Sequence, residues 1–173
     1  MSKTKLKKHL QTLSEEQLAD IILQLYDASK EANAWLEFYL EPNCDAELDK
    51  YKKTIRSQFY GRNDCPKDTS FRECNKLITA FKKLIPAPNA IADLMLYYVE
   101  QGCSLTAQYG DYDESFYTAL ENNFHKAVRF ISVNRLMEAY SSRMEKMIES
   151  VECCGYGFPD TLWNIYYDYA DNQ

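Results

Sequence analysis

The chain has 173 residues, of which 46% are hydrophobic, and its formal net charge at pH 7 is −6. A chain of this length can bury a core of its own, and we expect a single domain over residues 1–173. No run of eighteen uncharged apolar residues predicts a transmembrane helix, and residues 1–13 lack the apolar stretch of a secretory signal. We therefore expect a cytoplasmic protein that does not act in a membrane.

The first helices begin at recognisable capping residues. After a short basic amphipathic segment over residues 3–12, Ser14 and Gln17 form a capping-box pattern that predicts a helix start. Four apolar side chains form the predicted inner face of this helix and three more form a second face: Leu18, Ile21, Ile22 and Leu25, then Ala19, Leu23 and Tyr26. The helical pattern shifts phase near Ser29, and Pro42 is predicted to end the helix that follows.

Two amphipathic helices are predicted before the middle of the chain. Asp45 can start the first of them, and Gly61 is predicted to end it. Residues 61–69 have the composition of a loop. Ser70, with Glu73 three residues later, predicts the start of the second helix, which ends before two nearby prolines.

Residues 89–132 carry the strongest helical pattern of the chain. Asn89 is a predicted cap, and apolar residues then recur at helical spacing as far as Tyr109. Asp111 and Glu114 form a second start pattern, so the stretch predicts two long antiparallel helices joined by a tight turn. Because the first of them is apolar nearly all round, we expect it to lie in the middle of the domain.

Two more helices complete the prediction. Residues 136–151 show helical spacing, and Asp160 is a predicted cap for the last helix. No segment alternates strictly between apolar and polar residues, as a half-buried strand would. The predicted fold class is therefore all-α, with about eight or nine helices in antiparallel pairs.

An internal similarity suggests a repeat. The sequence LADIIL at residues 18–23 aligns with IADLML at residues 91–96. This match predicts two half-repeats, roughly 14–85 and 86–173, as in a short HEAT-like or TPR-like array. The W-x-x-L-G pattern of a TPR unit is absent, so the similarity supports paired helices more than it supports that family.

The charges fall into blocks of alternating sign. Residues 1–13 carry four positive charges, and residues 50–83 carry ten positive and three negative charges. The intervening residues 14–49 carry one positive and ten negative charges. The basic segments could bind nucleic acid, through Lys3, Lys5, Lys7 and Lys8 together with residues 50–83. We expect instead that these side chains line the solvated faces of amphipathic helices and pair with acidic neighbours.

Two aspartates lie at matching places in the proposed half-repeats. Asp20 and Asp93 both occur in otherwise apolar helical stretches. A buried carboxylate can serve as a general base or a metal ligand. Because buried charges are usually paired, we expect each aspartate to bond a Tyr, Lys or Arg on a neighbouring helix.

Several of the fourteen tyrosines are weak candidates for an interaction surface. Tyrosine combines apolar area with a polar tip, which suits recognition surfaces and also half-buried seams between helices. The candidates crowd the second half of the chain: Tyr97, Tyr109, Tyr112, Tyr166 and Tyr167. We favour the packing interpretation for most of them.

No catalytic, cofactor-binding or metal-binding motif is present in the sequence. The chain lacks G-x-S-x-G, G-x-G-x-x-G, a Walker loop and H-E-x-x-H. Its six cysteines include no C-x-x-C pair that would suit zinc. We therefore predict no catalytic residue, no metal site and no cofactor, and we expect a protein that is not an enzyme.

Segments along most of the chain resemble a family of small, all-helical bacterial proteins of unknown function. The resemblance rests on ADLMLYYVEQG, YGDYDESFY and GFPDTLWNIYYDY, together with the opening LSEEQL, LYD and EFYL. It implies an all-helical cytoplasmic bacterial protein, and it implies no activity or ligand.

The expected function is a helical scaffold or protein-interaction module. Its expected partner is another protein or a second copy of itself, and binding to nucleic acid is the alternative. A continuous basic stripe formed by residues 3–8 and 50–83 would favour that alternative.

Overall fold

A computed structural model describes residues 2–41 and 43–170 and shows an all-α protein. Nine α-helices lie within these residues: α1 Lys3–Leu10, α2 Glu15–Ala28, α3 Lys30–Leu40, α4 Cys44–Phe59, α5 Phe71–Lys83, α6 Pro88–Tyr109, α7 Glu114–Val133, α8 Met137–Glu149 and α9 Phe158–Ala170. The only β pairing in the described residues is an isolated bridge between Tyr60 and Pro66. The predicted fold class is confirmed. Pro42, the predicted end of the third helix, lies outside the described residues.

The chain divides into two compact units at Asn43. The smaller unit spans residues 1–43 and the larger spans residues 44–173. This division differs in position from the proposed boundary between half-repeats at residue 85. The two matching segments also differ in burial, because Ile21 is 40% exposed whereas its counterpart Leu94 is fully buried.

Helix α6 forms the centre of the larger unit. It packs against α4, α5, α7 and α8, while α9 packs against α7 and α8. Thirteen of its 22 residues are buried, and they lie on nearly every side of the helix. The prediction that this helix lies in the middle is therefore confirmed, and its apolar character follows from its many neighbours.

Three predicted helix starts are displaced by two or three residues. Helix α6 begins with Pro88 at its first position rather than after Asn89, because proline has the backbone angle that a first helical turn needs. Helix α7 is capped by Asp113, whose carboxylate accepts the amide of Phe116 at 2.9 Å, rather than by Asp111. Helix α9 begins at residue 158, so the predicted cap Asp160 lies in its first turn.

The predicted inner face of α2 is wrong. None of the residues of α1, α2 or α3 is buried. Ile21, Ile22 and Leu25 are 40%, 49% and 52% exposed. Helical spacing identified side chains that share a face, but in the described residues no second layer covers that face.

The crossing of α6 and α7 depends on the absence of a side chain at Gly102. Gly102 is buried within α6, and a Cβ built on it would lie 2.3 Å from Cδ2 of Leu120 on α7. Leu120 is fully buried, so its side chain has little room to withdraw. This close approach explains why the helix tolerates a glycine in its interior.

Gly102→Ala should lower the melting temperature of the protein. Alanine favours a helix by about 1 kcal/mol over glycine, but overpacking a core costs about 1–3 kcal/mol. Gly102→Asn should be at least as harmful, because its side chain is larger. Thermal unfolding followed by circular dichroism measures both changes.

Ser104→Ala is the matched control, because residue 104 is exposed on the same helix. It should leave the melting temperature nearly unchanged. A variant Gly102→Ala as stable as the parent would show that the two helices are not in tight contact at Gly102.

Candidate functional site

Helices α2 and α3 form a hairpin that exposes an unusually apolar surface. A single residue, Ser29, joins the two helices, and its hydroxyl caps α3 by accepting the amide of Ala32. Tyr26 donates a hydrogen bond from α2 to the Glu37 carboxylate on α3, which holds the pair together. Seven large apolar side chains of this hairpin are exposed, and we call them the hairpin surface: Ile21, Ile22, Leu23, Leu25, Trp35, Tyr39 and Leu40.

The aromatic part of the hairpin surface is ordered by stacking. The rings of Trp35 and Tyr39 lie one helical turn apart on α3, with centroids 5.3 Å apart and an angle of 13° between planes. Tyr39 is nevertheless 68% exposed. Flat aromatic groups of this kind are the side chains that most often anchor protein interfaces.

The sequence did not predict this surface, because helical spacing alone assigns the apolar positions of α2 to a core. The two apolar faces predicted for α2 were the available signal. A helix with apolar residues on two sides needs more neighbours than one hairpin partner supplies.

Asp93 lies at the centre of a charged network that joins three helices. Its carboxylate accepts a hydrogen bond from the Lys52 Nζ of α4 at 2.6 Å and another from the Arg143 guanidinium of α8. Arg143 also binds both oxygens of Glu100, at 2.6 and 2.8 Å. The two cations and two carboxylates balance, and we call these four residues the α6 network. The predicted pairing of Asp93 is confirmed.

The α6 network keeps the Asp93 carboxyl ionised. Burial alone would raise its pKa, but the hydrogen bonds from Lys52 and Arg143 and their positive charges together lower it. Burial alone would lower the pKa of Arg143, but its hydrogen bonds and ion pairs with Glu100 and, to a smaller extent, with Asp93 raise it. A carboxylate with a lowered pKa and two occupied oxygens suits helix pairing better than proton abstraction.

Asp93→Asn should destabilise the larger unit by about 1–3 kcal/mol at pH 7, because it removes a charge from a partly buried bonded pair. A lowered folded-state pKa stabilises the protein above the unfolded pKa of about 3.9, and this contribution is lost as pH falls through the folded value. The difference between variant and parent should therefore shrink below about pH 4.

Urea unfolding followed by Trp163 fluorescence, in a Trp35→Phe background, measures this effect in the larger unit. Asp20→Asn is the matched control and should change the unfolding free energy by less than about 0.5 kcal/mol. An equal effect of the two substitutions would contradict a structural role for the α6 network.

Asp20 does not share the environment of Asp93. It is exposed on α2, and no hydrogen bond or ion pair among the described residues involves it. The predicted pairing of Asp20 is therefore wrong.

The five candidate tyrosines do not converge on one site. The Lys52 Nζ lies 5.4 Å from the ring centre of Tyr97, beside the α6 network. Tyr109 donates to the backbone oxygen of Asp64 at 3.1 Å, and Tyr112 stacks on Phe116.

The other two candidate tyrosines belong to α9. Tyr166 is buried and donates to the Glu145 carboxylate at 2.7 Å. Tyr167 is 51% exposed and stacks on Trp163, with ring centres 5.4 Å apart. Within the described residues, these tyrosines mostly fill seams between helices.

The basic block at residues 50–83 is partly neutralised by carboxylates. Besides the contact of Lys52 with Asp93, ion pairs join Lys50 to Glu47, Arg56 to Asp64 and Lys76 to Glu73. Three of these four basic side chains bond a carboxylate on their own helix or the loop that follows it. The paired part of the block is therefore poorly placed to bind phosphates.

Residues 2–41 and 43–170 contain no group of three His, Cys, Asp or Glu side chains arranged to hold a metal ion. None of the helices in this part of the chain has both the length and the apolar character needed to span a bilayer.

The sequence places the chain in a family. Residues 1–153 match the model of a family of unknown function (DUF6155), and the chain belongs to that family. The predicted resemblance to a family of unknown function is thereby confirmed. No curated protein matches the chain, and no solved structure matches it either.

Proposed function

We propose that this member of a family of unknown function is a helical protein-interaction module that associates with a second copy of itself through the hairpin surface. The observation that carries the proposal is the exposure of seven large apolar side chains on one hairpin. Single exposed apolar residues are common, but seven large ones on one short helical hairpin are typical of an interaction surface.

The size of the smaller unit supports the proposal. Its described residues 2–41 include no buried residue, whereas every buried apolar residue of the structure lies at or after Leu48. Units of about 40 residues seldom stay folded without disulfides, metals or association. Short helices are likewise marginal in water unless another surface covers their apolar face. The hairpin therefore gains stability from any partner that covers it.

A second copy of the chain suits the hairpin surface in charge and in shape. Residues 1–43 carry five lysines and seven carboxylates, a net charge of −2, so repulsion between two copies is small. Two hairpins packed face to face give a four-helix arrangement with a continuous apolar core. Such a symmetric contact uses the same surface of both copies, as most homodimers do.

A cytoplasmic location is part of the proposal. All six cysteines are free thiols in the structure, and Cys74 and Cys103 are buried. Free thiols are usual in a reducing compartment, where disulfides seldom persist. Neither the hairpin surface nor the α6 network presents a reacting group, which favours a binding role over an enzymatic one.

Leu23→Glu should weaken self-association at least about a hundredfold. Burying a leucine contributes about 1.5–3 kcal/mol, and a symmetric interface contains the residue twice. Sedimentation velocity over a range of protein concentrations measures the dissociation constant. Tyr39→Glu, which changes the other helix of the hairpin, should have a similar effect.

Gln24→Glu is the control, because it adds the same charge at an exposed neighbouring position of α2 without removing apolar area. It should change the dissociation constant less than about threefold. A parent protein that stays monomeric at several hundred micromolar would contradict self-association. So would association that Leu23→Glu leaves intact.

A further inference from the structure

A groove runs between α5 and α7, which both pack on α6. Its volume is about 720 Å³, within the usual range of small-molecule sites. Helix α6 provides part of its floor through Met95 and Tyr98. We call it the cationic groove, because three basic side chains line it and no aspartate or glutamate does: Lys82, Lys126 and Arg129.

The three cations of this groove have no carboxylate partner among the described salt bridges. The salt bridges of the described residues pair Lys52 and Arg143 with carboxylates, but they include none of the three groove cations. Lys126 and Arg129 lie one turn apart on α7, so their like charges repel. The groove therefore presents three positive charges that no carboxylate of its own lining offsets.

Lys82 is the most constrained of the three. Its side chain is half-buried, and its Nζ lies 5.0 Å from the ring centre of Phe130. Burial lowers the pKa of Lys82, and the charge of Lys126 lowers it further. An anion placed between Lys82 and Lys126 would attract both amines and so offset their mutual repulsion.

The floor of the groove offers a buried neutral donor. The Tyr98 hydroxyl accepts a hydrogen bond from the Asn123 side-chain amide at 3.3 Å, and that amide also donates to the Ala119 oxygen at 2.7 Å. Tyr98 is 1% exposed, and no hydrogen bond among the described residues uses its own hydroxyl hydrogen. Burial raises the pKa of Tyr98, so the phenol keeps this hydrogen available for an incoming oxygen.

The remaining walls are apolar. Ile78 of α5 and Met95 of α6 face the groove, and Phe130 and Val133 of α7 complete this lining. Val133 is 75% exposed. Such walls suit a ring or a short hydrocarbon attached to the anionic group.

We propose that the cationic groove binds a small organic anion: a carboxylate or phosphate monoester attached to an apolar, ring-sized body. The anionic group lies between Lys82, Lys126 and Arg129, with one oxygen near the Tyr98 hydroxyl. The apolar body rests on Phe130 and its neighbours. This site is independent of the hairpin surface, because every residue that lines it belongs to the larger unit.

Titrations of the isotopically labelled full chain, followed by amide NMR shifts, test the proposal. The probes are phenyl phosphate, benzoate, inorganic phosphate and neutral benzyl alcohol. Phenyl phosphate or benzoate should give saturable shifts along α5 and α7 and should bind at least about tenfold more tightly than inorganic phosphate or benzyl alcohol. The better of the two identifies the preferred anionic group.

The charge requirement is tested with Lys82→Gln combined with Lys126→Gln. This double variant should weaken binding of the better probe at least about tenfold, because it removes two charge-assisted contacts. Lys53→Gln combined with Lys83→Gln removes the same charge at exposed positions outside the groove and should change binding less than about twofold. If the first double variant loses its native amide spectrum, Arg129→Gln at an exposed position serves as its replacement.

A second readout follows the Lys82 side chain itself. Its Cε resonance should titrate at a higher pH when the probe is bound, because a bound anion favours the protonated amine. Absence of saturable shifts at about 10 mM probe would overturn the proposal. Equal losses in the two double variants, or binding of inorganic phosphate as tight as that of phenyl phosphate, would overturn it as well.

Discussion

The ionised carboxylate of Asp93 links three helices of the larger unit through two charged partners. Its side chain is partly buried, so an unpaired charge at this position would lose part of its hydration without compensation. Lys52 reaches it from α4 and Arg143 reaches it from α8, so these contacts favour the observed placement of both helices against α6. Apolar contacts are non-directional, so the surrounding leucines leave the relative placement of the helices open. The directional hydrogen bonds of the α6 network help to specify that placement.

Gly102 supplies the matching constraint on the α7 side of the same helix. A side chain there would overlap Leu120, so the glycine sets the distance between the two longest helices. Asp93 and Gly102 act in opposite ways. Asp93 requires charged partners on α4 and α8, whereas Gly102 leaves space for Leu120 of α7. Together they place three neighbours of α6, and with them the groove that α5 and α7 form over its surface.

The two units differ in the kind of side chain that lacks a partner. The larger unit has a core and pairs many of its charges, yet three cations of the cationic groove have no carboxylate among the described salt bridges. The smaller unit lacks a buried residue within residues 2–41 and exposes seven large apolar side chains on α2 and α3. An anion would pair with the groove cations, and an apolar surface would cover the exposed side chains of the hairpin. The two proposed contacts therefore involve different chemistry and different partners.

The sequence by itself determined the helices and the central place of α6. Periodicity and capping are local properties, which is why the Ser14 capping box and the Ser70 cap were predicted correctly. The same local patterns predicted the wrong start for α6, α7 and α9, because several residues near each start could serve as the cap.

Only the tertiary structure distinguished Asp93 from Asp20. The two aspartates have nearly the same local sequence, but the partners of Asp93 lie 41 and 50 residues away, and Asp20 has no such partners among the described residues. It likewise decided that the apolar face of α2 is exposed and that Lys82, Lys126 and Arg129 meet at one groove. A helical pattern shows which side chains share a face, whereas the burial and charge of that face depend on which distant helices pack against it.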